Sequence, residues 1–365
     1  MAEQQLRSVQ ILRGLAAAGV VLTHLVAVER RYLPGIPLTS PGLQIGASGV
    51  DLFFVISGFI MTSVTINRPR RPGDSRRFLL RRFTRIYPLY WFYFFLILPL
   101  FLLDPQMVNS THGRPDLVTS FLLLPDRHLP LLLVAWTLSY ELYFYLVFAC
   151  LFRLLDSRQS GIALLVWGAA VAAGNLGLHP TTQQPVLYLL LNPLNLEFIA
   201  GCFVARLATG IGRIAASCCL IAAVTVISLG ATYFGSAPVL DPNLAWSRVL
   251  IYGTGAMLLL TGALGWESPV RFAPRVLVGL GDASYSLYLS HVLVLGAMGW
   301  LWHRLLSGPA ALNHLAFLTL CFAAALVWSG VSYMLIELPL LTASRRALRL
   351  VDAFVLPRPS GAVAS

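Results

Sequence analysis

Ten apolar stretches divide the chain, at residues 9–28, 48–66, 86–103, 134–152, 161–178, 187–205, 214–234, 246–264, 283–302 and 314–336. Each is close to the roughly 20 residues that an α-helix needs to cross a bilayer. Charged residues gather in the connections between them. This pattern predicts an all-α, polytopic membrane protein of about ten transmembrane helices. Composition points the same way: of 365 residues, 57% are hydrophobic and 11% charged, with mean hydropathy +0.75, which is more apolar surface than one soluble core buries.

Charge then orients the bundle. All 26 basic side chains are arginines, and eight of them (68, 70, 71, 76, 77, 81, 82 and 85) fall in the connection from 67 to 85. The positive-inside bias places that connection in the cytoplasm. By alternation both termini are cytoplasmic, and twenty arginines lie on that side against six (30, 31, 114, 127, 248 and 304) on the other. The net charge of +11 therefore reports topology and not nucleic acid. Cys150, Cys202, Cys218, Cys219 and Cys321 all sit in apolar runs, with neither metal spacing nor a disulfide framework. Arg13 interrupts the first run and no small-residue cleavage site follows, so no cleavable signal peptide is expected.

The first stretch holds two residues able to carry charge, Arg13 and His24, eleven positions apart. On an α-helix they share a face and stand about 16 Å apart along the axis. A charge inside a spanning helix is costly unless it faces the protein interior or water, so the stripe is a candidate site. The structural alternative has Arg13 snorkelling to a headgroup and His24 bonded to a carbonyl. In GASGVDLFFVISGF, Asp51 opens the second segment, and in AWTLSYELYFY, Trp136 and Glu141 open the fourth. The alternating topology brings Asp51 and Glu141 toward the depth of His24, where a carboxylate can orient an imidazole. On the cytoplasmic side, RRFLLRRFTRIYPLYW sets Arg82 and Arg85 on one helical face just before the third span. Guanidinium forks suit phosphate, although anchoring to anionic lipid accounts for most of the arginines from 68 to 77. Glu197, His291 and Glu337 also fall within or beside apolar runs; these read as interhelical hydrogen bonds before they read as cavity groups. His112, His128, His179, His303 and His314 lie in or near outer connections and read as solvent-facing. No metal site, phosphate loop, dinucleotide fingerprint or internal repeat is present.

The blocks RGLAAAGVVLTH, GVDLFFVISGF, RRFTRIYP and WTLSYELYFY, in this order and spacing, closely resemble the integral-membrane acyltransferase-3 family. Weaker echoes follow in LEFIAGCFVA, GDASYSLYLSHV and YMLIELPL, so the resemblance runs nearly full length. The layout looks most like the branch associated with exopolysaccharide production. The resemblance implies O-acylation at or across a bacterial inner membrane, with acyl-coenzyme A, most simply acetyl-CoA, as donor substrate and no metal. The acceptor would be a carbohydrate or lipid-linked oligosaccharide; membrane lipids and polysaccharide-synthesis proteins are further partners, nucleic acid is not. Carried over to matching positions, His24 is the general base, Arg13 the basic residue preceding it, Arg82 and Arg85 an RxxR pair that binds donor, and Glu141 the acidic residue after the tryptophan. Asp51 belongs to the second block, with a catalytic or a structural role. Residues 1–340 would form the membrane acyltransferase domain and 341–365 a short disordered cytoplasmic tail. The carboxyl-terminal hydrolase-like domain of some members is not expected here, so the membrane core would serve the acceptor itself or rely on a partner.

The chemistry agrees with those residue types. A sugar hydroxyl attacks a thioester only as its proton is removed, and neutral histidine suits that task near pH 7. Arginines at the cytoplasmic mouth, with a histidine some 16 Å further out, suit a donor threaded end-on. Two other classes compete: a flippase of lipid-linked sugar, expected to show paired interrupted helices in two related halves, and a non-catalytic component of an exopolysaccharide machine.

The topology is open to direct test. With native cysteines replaced, a cysteine at position 75 is expected to react with an impermeant maleimide only from the cytoplasm, and one at position 116 only from outside. The reverse pattern overturns the orientation.

Overall fold

The computed structural model describes residues 6–33, 35–39, 41–66, 73–105, 108, 113–208, 210–235, 241–267, 274–305 and 311–355. Every regular element among them is helical. In chain order they are α1 (Arg7–Tyr32), α2 (Ser48–Thr65), α3 (Asp74–Leu103), α4 (Leu117–Leu122), α5 (Trp136–Leu154), α6 (Ser157–Leu178), α7 (Pro185–Leu191) and α8 (Asn195–Leu207). There follow α9 (Arg213–Phe234), α10 (Ala245–Arg248), α11 (Thr254–Gly265), α12 (Arg275–Asp282), α13 (Ser284–Leu305), α14 (Ala311–Ser332) and α15 (Leu338–Val355).

Among the described residues nine helical stretches are long and apolar enough to cross a membrane. The expected segment at 283–302 is not one of them by hydropathy. It is nonetheless α13, a helix of 22 residues and so about 33 Å long. Its serines, tyrosines and histidine lower its hydropathy, and Ser284, Ser286, Tyr288, Ser290 and His291 face the bundle interior, all buried.

The central helix is α1, packed against α2, α12, α13 and α14. Small residues make this possible: a Cβ on Gly14 would press on the backbone at Gly281 of α12, and one on Gly49 of α2 would run into the Ala16 carbonyl. Without a hydrophobic drive between helices in lipid, such backbone approach is what gains dispersion contact. The same device joins α2 to α8, where Gly58 lies under the Phe198 carbonyl and Gly201 under that of Val55.

Several expected segments change form for local reasons. The arginine-rich lead-in and the third span fuse into the single 30-residue α3, which starts after Gly73 at φ 87° and carries Pro88 and Pro99 within it. The segment at 187–205 breaks at Asn192 and Pro193 into α7 and α8, and the Asn195 amide donates to the carbonyls of Leu189 (2.9 Å) and Asn192 (3.0 Å) that the break leaves open. Stretches of π-helix at Val249–Gly253 and Tyr333–Glu337 interrupt two further helices. The chain from 341, expected as a disordered tail, continues as α15 to Val355, because LPLLTASRRALRL repeats apolar residues at helical spacing with arginines between; residues 356–365 lie outside the described residues.

At the end of α1 away from the arginine-rich connection, buried Glu29 accepts from the backbone N–H of Leu38 (2.7 Å) and Thr39 (3.0 Å), from the Thr39 hydroxyl, and bonds His314 Nδ1 at 2.7 Å. His314, expected to face solvent, is thus buried as the partner of a carboxylate. His128, His179 and His303 are exposed as expected, and His112 lies outside the described residues.

Candidate active site

A cavity opens among α1, α2, α3, α5 and α13. Arg13, Arg82, Arg85 and Glu141 all line it, together with Ser57, Tyr145, Tyr285 and Tyr288. Four of the six residues singled out in the sequence are therefore brought together from three helices, α1, α3 and α5. The reason is periodicity: Arg82 and Arg85, three apart on α3, share a face, as do Glu141 and Tyr145, four apart on α5. The Arg82 guanidinium carbon lies over the rings of Phe78 and Tyr145, 5.5 and 5.8 Å from their centroids. Glu141 accepts the Tyr145 hydroxyl and, at 3.4 Å, that of Ser57. Arg13 donates to Gln10 Oε1 at 3.3 Å and lies in the electrostatic field of Arg85, Glu337 and Glu141. Glu337 itself accepts from Ser286 Oγ at 2.6 Å. Three guanidinium groups against one lining carboxylate give the cavity an anion-binding character.

Asp51 does not point to His24. Its two oxygens take Nε and Nη2 of Arg248, both at 2.9 Å, in a bidentate pair at 0% and 3% exposure. The Glu197 carboxyl stands within electrostatic reach of both, packed against Gly253. Arg248, counted among the outer-side arginines from its position, is thus a buried structural ion. Nor do His24, Asp51 and Glu141 occupy one layer. Glu141 meets Ser57, six residues and about 9 Å along α2 from Asp51.

His24 does not line the cavity. It stands three turns along α1 from Arg13, about 16 Å further from the arginine-rich end, and its imidazole packs on His291 of α13 with ring centroids 5.0 Å apart. His291 in turn is 6.0 Å from the ring of Tyr288, which does line the cavity and whose hydroxyl bonds Thr137 Oγ1 at 2.8 Å. Among the described residues no hydrogen bond engages the His24 ring nitrogens.

A second cavity lies on the other face of the first turns of α5. Trp136, Tyr140, Tyr188, Asp126, Asp241 and Arg248 are among its lining residues.

Sequence reasoning missed the pairing role of Arg248 and the tyrosines of the first cavity. A signal for Arg248 was present, since it sits two residues inside an apolar run; the tyrosines resemble any aromatic belt residue. His291 and Glu337 were seen and set aside. Among the described residues no group of three or more histidines, cysteines or acidic side chains is placed to hold a metal.

A helical bundle with spanning-length apolar helices that gathers three arginines and a carboxylate from α1, α3 and α5 around one cavity is a polytopic membrane protein with a polar, cation-rich interior. It belongs to the acyltransferase-3 family: the family model described as an acyltransferase domain matches residues 6–334. The chain is 29% identical over 329 residues to the exopolysaccharide production protein ExoZ of Rhizobium meliloti (strain 1021), covering 84% of this chain and 93% of that one. It is 28% identical over 385 residues to the acyltransferase MdmB of Streptomyces mycarofaciens, covering 92% and 91%. Over 167 residues it is 28% identical to the O-acetyltransferase OatA of Staphylococcus aureus (strain NCTC 8325 / PS 47), covering 40% of this chain and 24% of that one. No solved structure matches the chain. The protein is a multi-pass membrane O-acyltransferase that uses an acyl donor.

The Asp51–Arg248 pair separates support from catalysis. Asp51→Asn removes the bidentate carboxylate of the buried Arg248, leaving the Glu197 carboxyl in electrostatic reach, and is expected to lower stability by about 3 to 5 kcal/mol. Asp51→Leu combined with Arg248→Met removes both charges and is expected to recover most of that loss, read as thermal unfolding in detergent. A fully stable Asp51→Asn protein that has lost transfer would put the aspartate in the chemistry instead.

Proposed function

We propose that this protein transfers an acetyl group from acetyl-coenzyme A to a hydroxyl of a cell-surface polysaccharide or its lipid-linked precursor, in a bacterial inner membrane with both termini cytoplasmic. The observation that carries this reading is the cavity lined by Arg13, Arg82, Arg85 and Glu141, with His24 three turns of α1 beyond it. Coenzyme A bears its phosphates at one end and the thioester at the other. Guanidinium forks hold the phosphates at the arginine-rich mouth, and the pantetheine arm spans the distance toward His24.

His24 is the general base. Its free ring nitrogen takes the proton of the acceptor hydroxyl as the oxygen bonds to the thioester carbonyl carbon. The carbon–sulfur bond then breaks, and the departing thiolate recovers the proton from His24. Glu141, held by Tyr145 and Ser57, balances the arginine charge when no donor is present and keeps Arg13 directed into the cavity. Asp51 serves by fixing Arg248 and hence the wall between α2 and α10. The second cavity, with tyrosine and tryptophan faces beside carboxylates, has the stacking and hydrogen-bonding groups that carbohydrate recognition uses. The names of the relatives add support, exopolysaccharide production for the acceptor and O-acetyltransferase for the acyl group.

Two experiments test the reading. With radiolabelled acetyl-coenzyme A and purified protein, His24→Gln is expected to lower transfer on the order of 10² to 10⁴-fold while donor binding persists, because the amide keeps size and polarity but accepts no proton. Near-normal transfer by this variant would remove His24 as the base. Replacing Arg82 and Arg85 together by lysine keeps charge and loses the fork, so donor affinity is expected to fall, measured by calorimetry, with thermal stability retained. Unchanged affinity would return the pair to lipid anchoring.

A further inference from the structure

A general base needs a partner that fixes which of its nitrogens is bare, and neither carboxylate expected near His24 supplies it. Asp51 gives both oxygens to Arg248, and Glu141 is engaged by Tyr145 and Ser57 at the level of the arginine cavity. Glu29, further out on α1, is taken by Leu38, Thr39 and His314. What does face His24 is a second imidazole.

His291 is fully buried, at 0% exposure, in the middle of α13. Its Nδ1 lies 3.0 Å from the Leu287 carbonyl oxygen, one turn earlier on the same helix. A carbonyl only accepts, so Nδ1 carries the hydrogen, and in the neutral ring Nε2 is the unprotonated nitrogen. That Nε2 is buried and has no hydrogen-bond partner. An acceptor left unmet in a membrane interior carries a desolvation cost, and unmet groups of this kind call for a specific explanation. The His24 ring lies 5.0 Å from that of His291 between centroids, at a tilt of 53°, against 6.0 Å for Tyr288. With each ring nitrogen about 1.2 Å from its centroid, a modest side-chain rotation closes an N–H···N bond of ordinary length.

We propose that His291 is the positioning residue for His24. Its bare Nε2 accepts the N–H of His24 and so leaves the opposite His24 nitrogen unprotonated toward the acceptor hydroxyl. The inference rests on the acyltransfer reading above. When His24 takes the hydroxyl proton, the bond to His291 strengthens because its donor is now an imidazolium. When the thiolate recovers that proton, the pair returns to its starting state, and His291 gains or loses no proton in the cycle. The role usually given to a carboxylate is filled by a neutral acceptor, which adds no further charge to this membrane layer.

Full-length protein purified in detergent and labelled with ¹⁵N-histidine tests this, with His24 resonances assigned by subtraction of the His24→Gln spectrum. His291→Phe keeps a ring and removes the acceptor, whereas His291→Gln offers Oε1 near the position of Nε2. In the wild type and in His291→Gln, His24 is expected in a single tautomer; in His291→Phe it is expected as a mixture. In parallel, acetyl transfer by His291→Phe is expected to drop roughly 100-fold in kcat with the KM for acetyl-coenzyme A unchanged, and His291→Gln to stay within about tenfold of wild type. An unaltered single tautomer in His291→Phe overturns the proposal. So does a His291→Gln protein that folds yet shows mixed tautomers, which decides the matter even where His291→Phe fails to fold. Absence of transfer by the wild type would instead sink the acyltransferase reading, while the spectra still judge the contact between the two histidines.

Discussion

A charged side chain at the centre of a bilayer costs about 2.5 to 3.5 kcal/mol on insertion scales, and the architecture of this protein follows from how that cost is met. Arg13, Asp51, Glu141, Glu197, Arg248 and Glu337 all sit on helices that could not hold them singly. Asp51 is answered by Arg248 from a distant helix, Glu141 by Ser57 of α2 and by Tyr145 of its own helix, Glu337 by Ser286 of α13, and Arg13 by Gln10 on α1. The answers are what specify the helix neighbours. A bidentate guanidinium–carboxylate pair has one geometry, so α2 and α10 have one relative placement. Lipid supplies no hydrophobic reason to prefer that placement over another, which leaves the polar contacts and the glycine approaches to choose it.

The central helix then works as a scale of depth. Because α1 runs unbroken from Arg7 to Tyr32, the groups along it are held at fixed heights. Arg13 opens on the arginine cavity, His24 meets His291, and Glu29 ties down the chain at the far end. A kink anywhere between Arg13 and His24 would change the distance that a donor molecule has to span. The stretch contains no proline, and its two glycines, Gly14 and Gly19, lie against the backbone of Gly281 and Gly46 within an unbroken helix. Breaks occur elsewhere, at Asn192 and in two π-helical stretches that border Arg248 and end on Glu337, so local irregularity gathers where ionisable groups must be aimed.

The fold class, the spans and the family blocks were legible because they rest on local signals. Hydropathy reads each helix from its own residues, and the spacing of Arg82 with Arg85 is fixed by the helix they share. Partnership was not legible. Asp51, Glu141 and His24 are each near the start or end of a predicted span, and depth inferred from sequence position put them together; a difference of six residues along α2, about 9 Å, was enough to separate two of them. Arg248 and His314 carried the opposite lesson. Both lie near the edge of an apolar run, where exposure is the ordinary expectation, and both are buried because a carboxylate from a helix about two hundred or more residues earlier reaches them. His291 could be seen as an intramembrane histidine, but nothing in its own segment indicated that its neighbour would be His24.

The first turns of α5 show why two cavities, and not one, suit the proposed transfer. In WTLSYEL the helical period sends Thr137, Leu138 and Glu141 to the arginine side and Trp136, Ser139 and Tyr140 to the other. One turn of helix is therefore the partition. Phe54 completes it, edge-on to Trp136 at 6.5 Å, beside Tyr140 at 6.1 Å and stacked on Phe198 at 4.4 Å. A thioester is hydrolysed by any water that reaches it beside a base, so an enzyme that must deliver an acyl group to a sugar gains from a wall that water does not wet. Aromatic side chains supply such a wall while leaving polar faces toward each cavity, tyrosine hydroxyls in particular. Under the proposed transfer, donor and acceptor occupy the cavities on the two faces of α5, and the histidine layer, next to Tyr288 of the donor cavity, is where they meet.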